Sequence, residues 1–271
     1  MHNFYANEII LIAGLFGLLL GSFLNVVIYR LPIMLEREQQ HASYAILELI
    51  PKIFKSKFIN LVNPRSTCPN CQHKLRLRDN IPLVSYLWLK GRCHFCQQKI
   101  SLQYPLVELL SCILCSLCAY RFGASYQSLF ACIFAMAMLV AAVIDLQHMI
   151  LPDEINLPGI WLGLLLSIYG VFSNSHDALI GAMLGYLSLW CIFWIFYAIT
   201  GKYGIGGGDF KLFALFGAWF GWQSLHFIIT LAALTGSIVG LSLIVLKKHD
   251  PKKPIPFGPF LALSAYIYLL Y

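Results

Sequence analysis

The sequence predicts an all-α polytopic membrane protein with about eight transmembrane helices and a small cytoplasmic domain between the first two. Of the 271 residues, 59% are hydrophobic and 11% are charged, whereas soluble domains carry about 25% charged residues. The apolar residues come in runs near the roughly 20 residues that cross a bilayer. One long polar segment, residues 31–104, interrupts these runs.

The apolar runs define the predicted spans. The first covers residues 8–29, and its start lacks the basic region and cleavage site of a signal peptide, so we expect it to be retained. The other spans are predicted at residues 105–120, 126–144, 157–172, 178–200, 210–220, 226–246 and 255–271. The segment 210–220 is shorter than a full crossing, so it could enter the membrane only partway.

Three domains follow from these boundaries. They are a first transmembrane helix (1–30), a cytoplasmic domain (31–104) and a transmembrane domain (105–271). Within the cytoplasmic domain, residues 36–60 alternate charged and apolar positions, which indicates an amphipathic helix at the membrane surface.

The basic residues predict which side of the membrane each segment faces. Of the 19 Lys and Arg, 12 lie within residues 30–99. If the amino end is outside, the inner segments also hold Lys202, Lys211 and four lysines of residues 247–253, which leaves only Arg121 of the 19 outside. Basic residues accumulate in cytoplasmic loops, so the polar domain is expected to be cytoplasmic. This distribution accounts for the net charge of +7 and disfavours a nucleic-acid partner.

Two acids lie at the inner ends of predicted spans. Asp145 ends the third span, and Asp209 follows Gly206, Gly207 and Gly208 at the inner end of the fifth, 64 residues later. Two nearby carboxylates in a low-dielectric site do not both ionise easily, so one holds a proton as acid while the other activates water as base. We therefore predict a catalytic pair for amide hydrolysis. Glycine permits unusual backbone conformations and close approach, so the three glycines are predicted to bind a substrate strand.

Structural roles for these acids are also open. Each could cap a helix or pair with Lys202 or Lys211, and Lys211 could tune Asp209. Asp153, directly after Pro152, is a competing acid that we expect to cap the fourth span. Two acids on one face of the membrane favour the catalytic interpretation.

Four cysteines form two CxxC pairs in the cytoplasmic domain. Cys68 and Cys71 are separated from Cys93 and Cys96 by 21 residues. This spacing supplies four thiolates for one tetrahedral, structural zinc ion. A zinc staple suits a domain too small to bury a large core, and a reducing compartment disfavours disulfides. Unligated thiols or a redox pair are the alternatives.

Several other polar or sulfur-containing residues lie inside predicted spans. Asn25 and Glu108 each need a partner on another helix. Cys112, Cys115 and Cys118 recur on one face of the second span, where small thiols are more often packing residues than ligands.

Together these stretches resemble a known family. They are GSFLNVVIYRLP at 21–32, the paired CxxC, YPLVE at 104–108, the loop 145–158, GGGD at 206–209 and IPFGP at 255–259. The chain is similar to bacterial type IV prepilin peptidases, the membrane aspartic peptidases of type IV pilus and type II secretion systems. The family motif G-x-G-D is satisfied at 206–209, and the family's catalytic aspartates fall on Asp145 and Asp209.

The resemblance implies a substrate, a second activity and a location. The substrates would be type IV prepilins and pseudopilins, cleaved after glycine behind a short basic leader. The new terminal residue, usually Phe, would be N-methylated with S-adenosyl-L-methionine, and Glu108 could bind the new amino group. The chain would lie in the bacterial inner membrane, with its zinc domain and active site facing the cytoplasm.

Two rival hypotheses remain. An intramembrane-type aspartyl peptidase without methyltransferase activity would be expected to lack the zinc-like insert. A proton-coupled transporter would favour acids near the bilayer midplane and repeated halves. Here the acids lie at one rim of the membrane, and no internal repeat is evident in the sequence.

Overall fold

The computed structural model describes residues 2–46, 60–61, 63, 65–68, 70–202, 204, 206–246 and 254–271. Within these residues the chain forms nine α-helices and one 3-10 turn, and the only β-structure consists of isolated bridges. The all-α prediction is therefore confirmed for this part of the chain. Contacts group the residues into two compact units, Met1–Ala124 and Ser125–Tyr271.

In the first unit, the long helix α1 continues beyond its predicted end. The helices of this unit are α1 (His2–Ile46), α2 (Val84–Trp88) and α3 (Gln103–Phe122), with a 3-10 turn at Leu77–Asn80. The predicted first span ends at residue 29, whereas α1 continues to Ile46 and passes through Pro32. Proline removes one backbone donor, but a membrane helix tolerates that loss where its surroundings satisfy the freed group.

Glycines bring α1 and α3 close together. A Cβ atom on Gly14, Gly17 or Gly21 would lie 2.5–2.8 Å from an atom of α3. Small residues allow this approach, which is the usual way in which membrane helices pack. Asn25 Nδ2 donates to the carbonyl of Tyr104 on α3 at 3.1 Å, which confirms the interhelical partner expected for this amide.

The second unit is built around a short buried helix. Its helices are α4 (Tyr126–His148), α5 (Asp153–Ile168), α6 (Ser175–Thr200), α7 (Gly207–Phe220), α8 (Gln223–Val245) and α9 (Gly258–Leu270). Every residue of α7 from 212 to 220 is buried. A Cβ on Gly217 would overlap the backbone of Gly181 on α6. On the other side, Trp219 Nε1 donates to the carbonyl of Gly159 on α5 at 2.8 Å.

Five helices in the described part of the chain are long and apolar enough to cross a membrane. They are Asn7–His41 within α1, Gln103–Phe122, Tyr126–His148, Ser175–Thr200 and Gln223–Val245. The helices α5, α7 and α9 have only 16, 14 and 13 residues, fewer than the roughly 20 of a full crossing. Each of the eight predicted spans overlaps a helix, but helix length alone does not establish eight crossings.

Two predictions depend on residues outside the described part. The helix α1 includes the start of the predicted amphipathic segment 36–60, but residues 47–59 are not among those described. The basic residues of the loop 247–253 also lie outside them. The charge count assigns Lys202 to the inner side of the membrane and Arg121 to the outer side. Both side chains are exposed, Lys202 just after α6 and Arg121 in the last turn of α3.

Candidate active site and metal centre

Asp145 lies in the last turn of α4, against the start of α9. The helix ends at His148, because Met149 adopts a left-handed conformation with φ 55°. The Asp145 side chain is buried, with a relative exposure of 6%. Its Oδ2 accepts a hydrogen bond from the backbone N–H of Gly258 at 3.0 Å. A Cβ at position 258 would lie 2.6 Å from that oxygen, so glycine is needed there.

Asp209 lies in the first turn of α7, in the same unit as Asp145. Its relative exposure is 9%, and its Oδ1 has no hydrogen-bond partner among the described residues. Asp209 precedes the predicted span 210–220 and lies in none of the five crossing-length helices. A Cβ on Gly208, next to Asp209, would lie 2.7 Å from Leu151 Cβ, and a Cβ on Gly258, whose N–H binds Asp145, would lie 3.0 Å from Leu151 Cδ2. The fold therefore brings both predicted acids to the surroundings of Leu151 in this unit.

The three glycines before Asp209 provide space, not an unusual backbone. Gly206 has φ −74°, and Gly207 and Gly208 begin α7, so the expectation of glycine-specific dihedral angles is wrong. A Cβ on Gly208 would lie 2.7 Å from Leu151 Cβ, and one on Gly206 would lie 3.2 Å from Asp209 Oδ2. A Cβ on Gly207 would meet no atom within 4 Å. Crowding at Gly206 and Gly208 therefore explains why the first and third positions of the G-x-G-D motif are glycines.

Asp153 forms an ion pair and does not cap α5. Its two carboxylate oxygens lie 2.6 and 2.8 Å from Lys211 Nζ on α7. Pro152 occupies the N-cap position, so the capping role predicted for Asp153 is wrong. The ammonium group of Lys211, a candidate for tuning Asp209, is instead engaged by Asp153. This pair links α5 to α7 beside the candidate active site.

Asn156 is a buried polar residue that sequence reasoning missed. It is fully buried in α5, and neither polar atom of its side chain has a hydrogen-bond partner among the described residues. Gly159 lies three residues later on the same face of α5 and contacts Leu215 of α7. Asn156 therefore lies about one helical turn from the level of Asp209 on α7. An unpaired buried amide is costly and therefore calls for a functional explanation. The sequence signal that could have identified Asn156 is its amide side chain in an apolar segment, directly before Leu157 and Pro158.

The four paired cysteines form one cluster in the first unit. Their sulfur atoms lie within 4.8 Å of one another, and the Cys68 and Cys96 sulfurs are 3.8 Å apart. In a tetrahedral site with Zn–S bonds of about 2.3 Å, neighbouring sulfurs are roughly 3.8 Å apart. The donor set thus fits a metal ion.

The two CxxC pairs have the same local geometry. Gln72 donates to the carbonyl of Cys68 at 2.9 Å, and Gln97 donates to that of Cys93 at 3.0 Å. Both glutamines have positive φ, 57° and 58°. Each pair is closed by a backbone bridge, Thr67 to Lys74 and Arg92 to Lys99. Two matching turns therefore present the four sulfurs to a common centre.

Glu108, the remaining candidate, is buried on α3. Its Oε2 accepts a hydrogen bond from the backbone N–H of Leu83 at 2.8 Å. Its Cα also packs against α1, since a Cβ on Gly21 would lie 2.8 Å from it. The carboxylate therefore has a partner outside α3 and links this helix to the segment before α2.

Comparisons with known proteins agree with this architecture. Residues 15–122 match the Bacterial Peptidase A24 N-terminal domain, and residues 132–241 match the Type IV leader peptidase family. The chain is 49% identical to a protein of Aeromonas salmonicida named "Prepilin leader peptidase/N-methyltransferase", over 95% of this chain and 89% of the relative. A protein of the same name from Pseudomonas aeruginosa is 46% identical over 95% and 88%, and one from Dichelobacter nodosus is 44% identical over 97% and 91%. No solved structure matches significantly.

Proposed function

The chain belongs to the type IV leader peptidase family, and on this premise we propose that it both cleaves and methylates pilin precursors. It removes the short basic leader of type IV prepilins and pseudopilins after glycine, at the cytoplasmic face of the bacterial inner membrane. It then N-methylates the new terminal residue, usually Phe, with S-adenosylmethionine. The single observation that carries the peptidase assignment is the burial of two carboxylates, Asp145 and Asp209, in the same compact unit.

The two acids take different roles in this proposal. Asp209 holds the proton, because it is buried and its Oδ1 has no hydrogen-bond donor among the described residues, which disfavours the charged form. Asp145 is the charged partner, because the N–H of Gly258 stabilises a carboxylate. Asp145 takes a proton from a water molecule as the water oxygen attacks the peptide carbonyl carbon. Asp209 protonates the carbonyl oxygen, and the amine leaves after proton transfer to its nitrogen.

We assign substrate contacts to the glycines and to Glu108. Gly206, Gly207 and Gly208 lie directly before Asp209, so a peptide backbone at this turn would be next to a candidate acid. Gly207 in particular leaves open space beside its Cα. Glu108 supplies a buried carboxylate that suits an amino group with positive charge.

Valine at position 207 tests the glycine assignment. No atom lies within 4 Å of a Cβ there, so Gly207→Val should leave the melting temperature in detergent close to that of the parent. A branched side chain would occupy the space proposed for substrate, so we expect KM for a pilin precursor to rise roughly tenfold or more. Gly208→Val is the matched comparison: it should lower the melting temperature, because its side chain would overlap Leu151. An unchanged KM in Gly207→Val would remove this glycine from the substrate site.

The metal and membrane arrangement are part of the same proposal. Cys68, Cys71, Cys93 and Cys96 hold one structural zinc ion, which stabilises a cytoplasmic domain of residues 31–104. That domain lies between a first membrane helix (1–30) and a transmembrane aspartic peptidase domain (105–271). The short helices α5, α7 and α9 complete about eight membrane segments. The distribution of basic residues supports a cytoplasmic location for the zinc domain and for the two acids.

A single assay separates the proposed activities. The purified chain is incubated with a pilin precursor and S-adenosylmethionine, and the mass of the product is measured at its new amino terminus. Loss of the leader together with the mass of one methyl group is the expected result. Leader loss without methylation would favour a peptidase that lacks methyltransferase activity, and an uncut precursor would contradict the peptidase assignment.

A further inference from the structure

Two buried side chains of the second unit have polar atoms without a hydrogen-bond partner among its described residues. They are Asn156 on α5, at both the oxygen and the nitrogen of its amide, and Asp209 on α7, at Oδ1. Asn156 has a relative exposure of 0% and Asp209 one of 9%. Buried polar groups are normally paired with protein atoms or with ordered water. If the two side chains lie close together, one partner could satisfy both.

The register of α5 against α7 places the two side chains about one helical turn apart. Asp153 of α5 binds Lys211 of α7, and six residues later on α5 Gly159 contacts Leu215. The buried amide lies midway between these contacts on the same face of α5, whereas Asp209 lies about one turn before their midpoint on α7. One turn of an α-helix rises about 5.4 Å. This offset is longer than a direct hydrogen bond, which needs about 2.7–3.2 Å.

A single buried water molecule has the size and the chemistry to join the two groups. Two hydrogen bonds in series, each of about 2.8 Å, span up to roughly 5.6 Å. Buried waters typically make about three hydrogen bonds, to polar groups that otherwise lack a partner. Solvent also reaches this part of α5, because the side chains of the ion pair one turn earlier are partly exposed, Lys211 at 32% and Asp153 at 47%.

We infer that Asn156 is a positioning residue that acts on Asp209 through one bound water molecule, an inference that rests on the proposed peptidase function. Asn156 Nδ2 donates to the water, and the water donates to Asp209 Oδ1. Because an amide nitrogen only donates, the water keeps a hydrogen directed at Oδ1. Oδ1 is then an acceptor, so Oδ2 carries the acidic proton. That oxygen lies beside Gly206, where a Cβ would be 3.2 Å from it.

Asn156→Leu tests this role in the full-length chain, because leucine has the same branched skeleton without polar atoms. An unpaired buried amide costs stability, so its removal should keep or raise the melting temperature in detergent. Asp209 would lose the contact that orients it, so we expect kcat for leader cleavage to fall about 10- to 100-fold. KM for a pilin precursor should stay close to that of the parent. Asn156→Ser keeps a donor that can bind the water and should retain most of the parent kcat.

Ser167→Ala is the matched control. Ser167 is a buried polar residue on the same helix, roughly 16 Å beyond Asn156 along the axis. Its hydroxyl donates to the carbonyl of Leu164 at 2.7 Å, away from both acids. Replacement of this buried polar group should therefore leave kcat and KM for the precursor at the parent values.

Each possible failure has a distinct meaning. If the parent cleaves the precursor and Asn156→Leu has the same kcat, Asn156 has no positioning role, although the peptidase function stands. The role is also contradicted if Asn156→Leu raises only KM, or if its melting temperature falls together with kcat. An equal loss of kcat in Asn156→Ser or Ser167→Ala would overturn it as well. If the parent leaves the precursor uncut, the proposed function fails, and this inference fails with it.

Discussion

Asp209→Asn is expected to slow leader cleavage by at least about a thousandfold, the size of effect typical of a lost acid–base group. Asparagine keeps the shape of the side chain but has no proton that it can donate to the substrate. The fold should survive, because Oδ1 of Asp209 has no hydrogen-bond partner to lose among the described residues. Asp145→Asn should have a similar effect, since an amide cannot accept the proton of the attacking water. The measurement is single-turnover cleavage of a pilin precursor, with melting temperatures recorded in the same detergent.

Glu154→Gln provides the matched control. This acid lies in the first turn of α5, close in sequence to both Asp145 and Asp153, but its side chain is exposed. The same carboxylate-to-amide change at this position should leave the cleavage rate within about twofold of the parent, as expected for a surface substitution. Full cleavage by either aspartate variant, or an equal loss in Glu154→Gln, would contradict the proposed pair.

The sequence contained enough information to predict the helices and to identify Asp145 and Asp209 as candidate catalytic acids. Long apolar runs are read directly as membrane helices, because unpaired backbone groups are not tolerated in lipid. Asp145 and Asp209 stood out because ionisable groups are costly at membrane depth unless they have a function. Their placement in one unit follows from the packing of α7 among its neighbours, which a single sequence does not contain. Their catalytic roles remain a prediction.

The features that sequence reasoning missed depend on tertiary contacts. Asp153 follows a proline and looks like a helix cap, but Lys211 lies 58 residues later in the chain and on another helix. Proline usually ends or kinks a helix, but α1 continues through Pro32. The glycines at 206 and 208 suggested unusual backbone dihedral angles. Glycine is instead favoured there because a Cβ would crowd Asp209 at position 206 and Leu151 at position 208. For Asp153 and Gly208 the deciding contacts are with Lys211 and Leu151, which are distant in sequence.

Loss of one cysteine ligand is expected to remove the metal. The protein should contain about one zinc ion per chain by elemental analysis, and Cys93→Ser should contain almost none, because a structural site needs all four ligands. The turns around Cys68 and Cys93 should then become susceptible to proteolysis, since few buried residues hold this segment without a metal. Limited digestion with sequencing of the fragments measures this change.

Cys191→Ser tests whether the effect is specific to the cluster. Cys191 is an exposed cysteine on α6 in the other unit, so its replacement should preserve both the metal content and the digestion pattern. Absence of zinc from the parent protein, or a full equivalent in Cys93→Ser, would refute the metal site. Metal loss should leave the rate of leader cleavage close to that of the parent, because the candidate acids lie in the second unit.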